Sequence, residues 1–106
     1  MIDPILKGQV KRKLNITWED AETDSRIEEI IGSAIPDLIH RLGITDPEFD
    51  FSIYGQENEL LINYCLYEWN HALHEFEENY SRLIAQVRAK HEVQNFMNSE
   101  EFEYEE

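Results

Sequence analysis

The chain has 106 residues and a formal net charge of −14, with 23 acidic residues against nine Lys and Arg. This length suits one domain, and the 42% apolar content can build a modest core. Because nucleic-acid-binding proteins usually carry a basic footprint, the charge argues against a surface that grips phosphates broadly. The single cysteine cannot form an internal disulfide, which fits a reducing cytoplasm. No apolar run predicts a membrane span or a signal peptide.

Charge is unevenly distributed between the two ends of the chain. Residues 1–14 contain four cations against Asp3 alone, a net of +3, whereas residues 100–106 contain five glutamates, a net of −5. This distribution has two interpretations. Either both ends are simply solvated, or the opposite ends of neighbouring subunits or partners attract each other.

The first predicted helix covers residues 3–14. Asp3 and Pro4 suit its first turn, and its apolar residues recur every four positions. An acidic turn follows, in which Thr17 and Asp20 are spaced as a capping box. A calcium loop is the functional alternative there, but the glycine and the terminal glutamate of an EF-hand are missing.

The second predicted helix covers residues 24–42, because one apolar stripe runs through it. Gly43 is placed for a left-handed C-terminal cap, and Pro36 should bend the helix. The connection at residues 44–58 alternates Phe49, Phe51 and Ile53 with polar residues. It should lie over the core as an extended loop or pair with the same segment of another subunit.

The third predicted helix covers residues 58–76 and includes the aromatic stretch LLINYCLYEWNHALHEF. Its broad apolar face should pack with Leu38 around Trp69 at the centre of the domain. A second face suggests a second packing partner, which in so short a chain is predicted to be another subunit. That face carries Leu60, Tyr64 and Tyr67, with His71 and His74 beside them.

A fourth helix is predicted at residues 79–92, after an interruption or a bend at residues 77–79. Beyond His91 the apolar period is lost, so residues 93–106 read as an acidic tail that is mobile until it docks. The fold class is therefore all-α, a compact four-helix domain at residues 1–92 with one long loop and a flexible acidic tail.

The spacing of the His, Cys, Asp and Glu residues predicts no catalytic or metal-binding site. Asp37 with His40 and Glu68 with His71 resemble the pairs of two-metal helical bundles, but His40 should face solvent and the other helices supply no carboxylate on their apolar stripes. Cys65 lies on an apolar face and is expected in the core. With no phosphate loop, GxGxxG or GxSxG, neither enzymatic activity nor a cofactor is predicted.

The order of the parts resembles the small head–tail connector, or adaptor, proteins of long-tailed bacteriophages. The resemblance covers roughly residues 5–92. It rests on the basic first helix ending in KRKLNI, the acidic turn WEDAETD, the helix RIEEIIGSAIPDLIHRLGI, and the block NYCLYEWNHALHEFEENY that runs into SRLIAQVRAKHEV.

This resemblance implies an all-helical virion protein, assembled in the bacterial host cytoplasm. Such proteins form a ring, commonly of twelve copies, below the portal of the DNA-filled head. The ring would join the portal to the next connector or tail protein, help to close the head after packaging, and extend the channel through which DNA passes without specific binding. An acidic lining would let DNA slide.

The residues predicted to carry these contacts fall in two groups. Subunits should meet through Leu60, Tyr64, Tyr67 and His71, with Lys11 and Arg12 near acids of the neighbour. The portal should be bound by the tail aromatics Phe96, Phe102 and Tyr104.

An alternative from another class explains the charge equally well. A monomeric acidic helical protein could imitate the phosphates of DNA and inhibit a DNA-binding partner. The two hypotheses differ in whether the chain assembles on a portal.

Overall fold

The computed structural model describes residues 2–104, with side chains through Asn98. It contains four helices, and no strand occurs in the described range. They are α1 (Pro4–Lys13), α2 (Ala21–Arg41), α3 (Gln56–Trp69) and α4 (Leu73–Tyr104). The predicted all-α four-helix fold is confirmed.

Helix α1 begins at the capping residue predicted from the sequence, whereas α2 does not. The Asp3 carboxylate accepts the Ile5 N–H at 2.9 Å, and Pro4 occupies the first turn as predicted. The capping box at Thr17 is wrong, because Asp20 itself caps α2 by accepting the Thr23 N–H at 3.0 Å. The helix therefore begins at Ala21 rather than at Asp24.

The other end of α2 follows the sequence prediction. Gly43 has φ +64°, and the Ile44 N–H bonds back to the Ile39 carbonyl at 3.1 Å, which closes the last turn. Ile44 is buried directly after this cap. The helix runs on through Pro36 without a break.

The corner between α3 and α4 corrects the prediction of one helix at residues 58–76. The chain turns at Asn70–Ala72, where His71 takes φ +58° and the Asn70 side chain bonds the Leu66 carbonyl at 2.9 Å. Of the interruption or bend predicted at residues 77–79, the interruption is wrong, since these residues lie inside α4. This corner folds α4 back along α3.

The core lies where α2, α3 and the first half of α4 meet. Helix α1 packs on α2 and α3, and α4 packs mainly on α3. Leu38 is fully buried as predicted, whereas Trp69 is only partly buried at the edge of the core. The fully buried centre is formed by Ile27, Ile31, Leu38, Leu42, Leu60, Leu61, Cys65, Phe76 and Val87.

The connection at residues 42–55, called here the α2–α3 loop, lies over the core and forms no strand. Phe51 is buried, and the Asn58 amide donates to its carbonyl at 2.7 Å and to the Gln9 side-chain oxygen at 2.8 Å. Gln9 in turn donates to the Ser52 carbonyl at 2.9 Å. Two buried amides thus fasten the loop to α1 and α3.

We expect the Asn58→Ala variant to lose about 1–3 kcal/mol of unfolding free energy, because the buried Gln9 amide and Phe51 carbonyl lose their partner. Urea unfolding measures this loss, and chymotrypsin should cut the loosened α2–α3 loop faster. Asn98→Ala, at an exposed position of α4, is the control and should change stability by less than about 0.5 kcal/mol. A loss as small in Asn58→Ala as in the control would contradict the role of the two amides.

Helix α4 continues beyond the predicted end at residue 92 and reaches Tyr104. The first part of the predicted tail is therefore helical. Asn95 is the last described side chain of α4 that bonds another element, since its amide donates to the Gly43 carbonyl at 3.2 Å and its oxygen accepts from Thr45. Mobility of residues 93–106 before docking stays a prediction, and the side chains from residue 99 onward lie outside the described residues.

Candidate docking surfaces

The predicted second face of α3 is covered within the same chain. Leu60 and Tyr64 are buried, and Tyr67 is half-buried. Phe76 and Tyr80 of α4 cover the two tyrosines, with ring centroids 5.3 Å apart for Tyr64–Phe76 and 6.0 Å for Tyr67–Tyr80. The expectation that this face lacks a partner inside the chain is wrong. The reason is the corner at residues 70–72, which lays α4 against it.

A polar network anchors Tyr64 to α2. Its hydroxyl donates to Asp37 at 2.7 Å, and Arg41 donates to the other oxygen of the same carboxylate at 2.8 Å and to Glu77 at 2.9 Å. Burial alone would raise the pKa of Asp37, but the bonds from Arg41 and Tyr64 outweigh it and hold that pKa below its usual range. Burial and the adjacent Asp37 raise the pKa of Tyr64, so its hydroxyl remains a donor.

A pH dependence follows from this network. A carboxyl whose pKa is lower in the folded state contributes stability above its unfolded pKa, and this contribution is lost as the pH falls through the folded value. At pH 7 we expect Asp37→Asn to lose about 1 kcal/mol, a small value because the carboxylate is partly solvated. The difference from wild type should shrink as the pH falls below about 4, the unfolded value, toward the lower pKa at which Asp37 becomes neutral in the folded protein.

Urea unfolding of both proteins at neutral and acidic pH measures this difference. Glu29→Gln, on the exposed face of α2, is the matched control and should show little difference at either pH. A difference between Asp37→Asn and wild type that stays constant over the range would contradict the lowered pKa of Asp37.

The cations of α1 divide into two groups. Lys11 bonds Asp24 at 3.1 Å and Lys7 bonds Glu28 at 2.7 Å, so both are neutralised by α2 of the same chain. Lys11 was predicted to lie near acids of a neighbour, but its partner is intramolecular. Arg12 and Lys13 are exposed and form no ion pair among the described residues.

His71 lies in an arginine-centred cluster at the corner between α3 and α4. Arg26 of α2 donates to the Trp69 carbonyl at 2.6 Å, and its guanidinium lies 4.1 Å from the Trp69 ring centroid. The His71 Nε2 atom is 3.4 Å from the same guanidinium. The cluster caps the end of α3 and explains why Trp69 lies at the edge of the core.

A second polar cluster ties the start of α3 to α4. Glu57 accepts from Lys90 at 2.7 Å and contacts the His91 Nε2 atom at 2.8 Å. Burial would raise the pKa of Glu57, but these bonds outweigh it and lower that pKa. The His91 ring also packs edge-on against Phe49, with centroids 5.8 Å apart. His91 therefore connects the α2–α3 loop to α4.

The outer face of α4 carries an apolar stripe formed by Val93, Phe96 and Met97. They are 56%, 67% and 61% exposed and follow the i, i+3, i+4 spacing of one helix face. Asn95 turns toward the core instead. Phe96 was predicted to dock the portal, and the structure places it on this exposed stripe. Phe102 and Tyr104, predicted for the same role, have side chains outside the described residues.

Three further residues were candidates for catalysis or metal binding: Cys65, His40 and Asp37. Cys65 is buried, and burial raises the pKa of its thiol to about 12, so the thiol stays protonated. His40 is exposed as predicted, and Asp37 bonds Arg41 and Tyr64. In the described part of the chain, His, Cys, Asp and Glu side chains nowhere gather in threes as a metal ion would require. Among the described helices, none has both the length and the apolar character needed to cross a membrane.

The class that these observations define is an all-α four-helix domain with an exposed apolar stripe on an extended C-terminal helix. No protein-family model, curated protein or solved structure matches the chain.

Proposed function

We propose that this chain is the subunit of a ring-shaped head–tail connector of a long-tailed bacteriophage. The ring would lie between the portal and the next connector or tail protein. The observation that carries the proposal is the stripe Val93, Phe96 and Met97 on α4. Large apolar side chains clustered on an exposed helix face are typical of a protein-binding surface.

The position of the stripe supports a docking role. It lies next to Asn95, where α4 makes its last described bonds to the rest of the domain. At about 1.5 Å per residue, the 32 residues of α4 span about 48 Å, and the molecule measures 56 Å along its longest axis. A long helix with an apolar outer face can reach a partner while the core stays unchanged.

The net charge supports a ring through which DNA passes. A subunit with a formal net charge of −14 would present carboxylates to a central channel. Because DNA phosphates are repelled by such a lining, DNA could pass without binding. Exposed acids that form no ion pair among the described residues, such as Glu29 of α2 and Glu78 of α4, are available for this role.

The alternative is a monomeric DNA mimic that inhibits a DNA-binding protein. The same net charge favours it. A mimic binds through carboxylates, however, and needs no apolar stripe, so the exposure of Phe96 favours the connector.

Co-purification separates the two functions. The chain is mixed in turn with the portal protein of its own genome and with a basic DNA-binding protein, at low and at high salt. If the chain is a connector, its complex with the portal protein should survive high salt, because salt screens charge pairs but not apolar contacts. Binding only to the basic protein, and only at low salt, would favour the mimic.

A further inference from the structure

We infer that a groove beside α1 binds the acidic C-terminal segment of a second copy of this chain. The groove has a volume of about 410 Å³ and lies between α1, the tip of the α2–α3 loop and α3. It is lined by the cations Arg12 and Lys13, by Tyr54, which is 79% exposed, and by one acid, Glu59. Ile62 of α3 supplies an apolar surface.

The two cations of this groove are available for a partner. Lys7 and Lys11 are held by Asp24 and Glu28, but Arg12 and Lys13 form no ion pair within the described residues. In a chain with a formal net charge of −14, two unpaired adjacent cations beside an exposed tyrosine form an unusual local surface. Its chemistry fits an acidic segment that also carries an aromatic side chain.

The chain itself contains such a segment. Residues 100–106 read EEFEYEE, five glutamates with two aromatic residues. No other seven-residue stretch is as acidic: the next, residues 18–24, holds four acids, and two of them are already used, since Asp20 caps α2 and Asp24 pairs with Lys11. Charge complementarity therefore selects the C-terminal segment as the occupant.

The segment must come from a second copy. Helix α4 continues as one helix through Tyr104, so most of the acidic segment belongs to it. Helix α4 packs mainly on α3, whereas α1 packs on α2 and α3. Reaching its own groove would require the end of α4 to unfold, but a neighbouring copy can supply the segment with α4 intact.

The resulting contact is heterologous, because the groove of one copy meets the tail of the next. Such contacts generate a ring when the rotation closes and an open filament when it does not. The inference rests on the proposed function only for ring closure. Attraction between copies depends on the groove and the segment alone.

A charge swap in the full-length chain tests the inference by sedimentation equilibrium at low salt. Exposed ion pairs with limited apolar burial give weak contacts, so wild-type protein should self-associate with a Kd of about 0.1–1 mM. Both R12E/K13E and E101K/E103K should weaken association at least about 10-fold. The variant carrying all four changes should recover it. Arg82→Glu, at an exposed position of α4 away from the groove, is the control and should associate like wild type.

Recovery in the four-fold variant supports the contact, because a folding defect would not be repaired by a second charge reversal. Wild-type protein that remains monomeric at about 1 mM and low salt would overturn the inference, as would association that R12E/K13E leaves unchanged. Portal binding by these variants is measured separately. Loss of self-association with portal binding retained would implicate this groove alone, whereas absent portal binding in wild type would reject the connector.

Discussion

Replacing Phe76 with alanine should destabilise the domain more than any other single change considered above. Phe76 is fully buried and packs against three tyrosines. Its ring centroid lies 5.0 Å from that of Tyr80, 5.3 Å from that of Tyr64 and 5.9 Å from that of Tyr67. Truncation removes these contacts and leaves a cavity, at a cost of about 3–5 kcal/mol.

This loss is large against the roughly 5–15 kcal/mol that stabilise a typical domain. The melting temperature should fall by about 15–30 °C, which circular dichroism measures. Phe96→Ala is the matched control, because the same residue type on the outer face of α4 should cost less than about 0.5 kcal/mol. Equal losses in the two variants would mean that α4 does not pack on α3 as described.

Truncation of Trp69 should cost less stability than truncation of Phe76. A fully buried tryptophan at the centre of the core would lose about 3–5 kcal/mol on truncation. The structure places Trp69 at the edge, with its ring against Arg26. Because part of its surface stays in water, Phe76 rather than Trp69 is the dominant aromatic residue of the core.

The second large effect concerns binding rather than stability. F96D/M97D should weaken binding to the portal protein at least about 30-fold, since a central aromatic contact in an interface is worth about 2 kcal/mol or more. The two changes place carboxylates on the exposed apolar stripe but touch no buried residue. The melting temperature should therefore stay close to that of wild type. Binding is measured by surface plasmon resonance on immobilised portal.

The control for charge alone is Gln86→Asp, at an exposed position further up α4. It adds negative charge outside the stripe and should bind portal like wild type. Portal binding that F96D/M97D leaves unchanged, in a folded protein, would show that the stripe is not the docking surface.

The elements predicted correctly from the sequence are those set by local signals. The stripe of α2 has a regular helical period, Gly43 supplies the left-handed cap, and Asp3 with Pro4 starts α1. The corner at residues 70–72 was missed because Asn70 and His71 make it without glycine or proline. Both residue types tolerate the left-handed backbone angles that such a corner needs. Without glycine or proline to mark the corner, the apolar run predicts one continuous helix.

The candidate site was predictable only in part. Phe96 was assigned to docking because its apolar pattern departs from that of the preceding helix. The pattern does not end, however, but moves to the outer face of the same helix. The second face of α3 was assigned to a neighbour because a sequence cannot show which element covers an apolar face. The bonds among Gln9, Asn58 and the α2–α3 loop join residues far apart in the chain and leave no local signal.

The mass of the complex formed with the portal tests the proposed connector most directly. Native mass spectrometry of the portal ring, mixed with an excess of this chain, counts the bound copies. We expect a closed complex in which the number of copies equals the rotational order of the portal, twelve for a twelve-fold ring. A chain that stays monomeric in the presence of portal, yet forms a one-to-one complex with a basic DNA-binding protein, would contradict it.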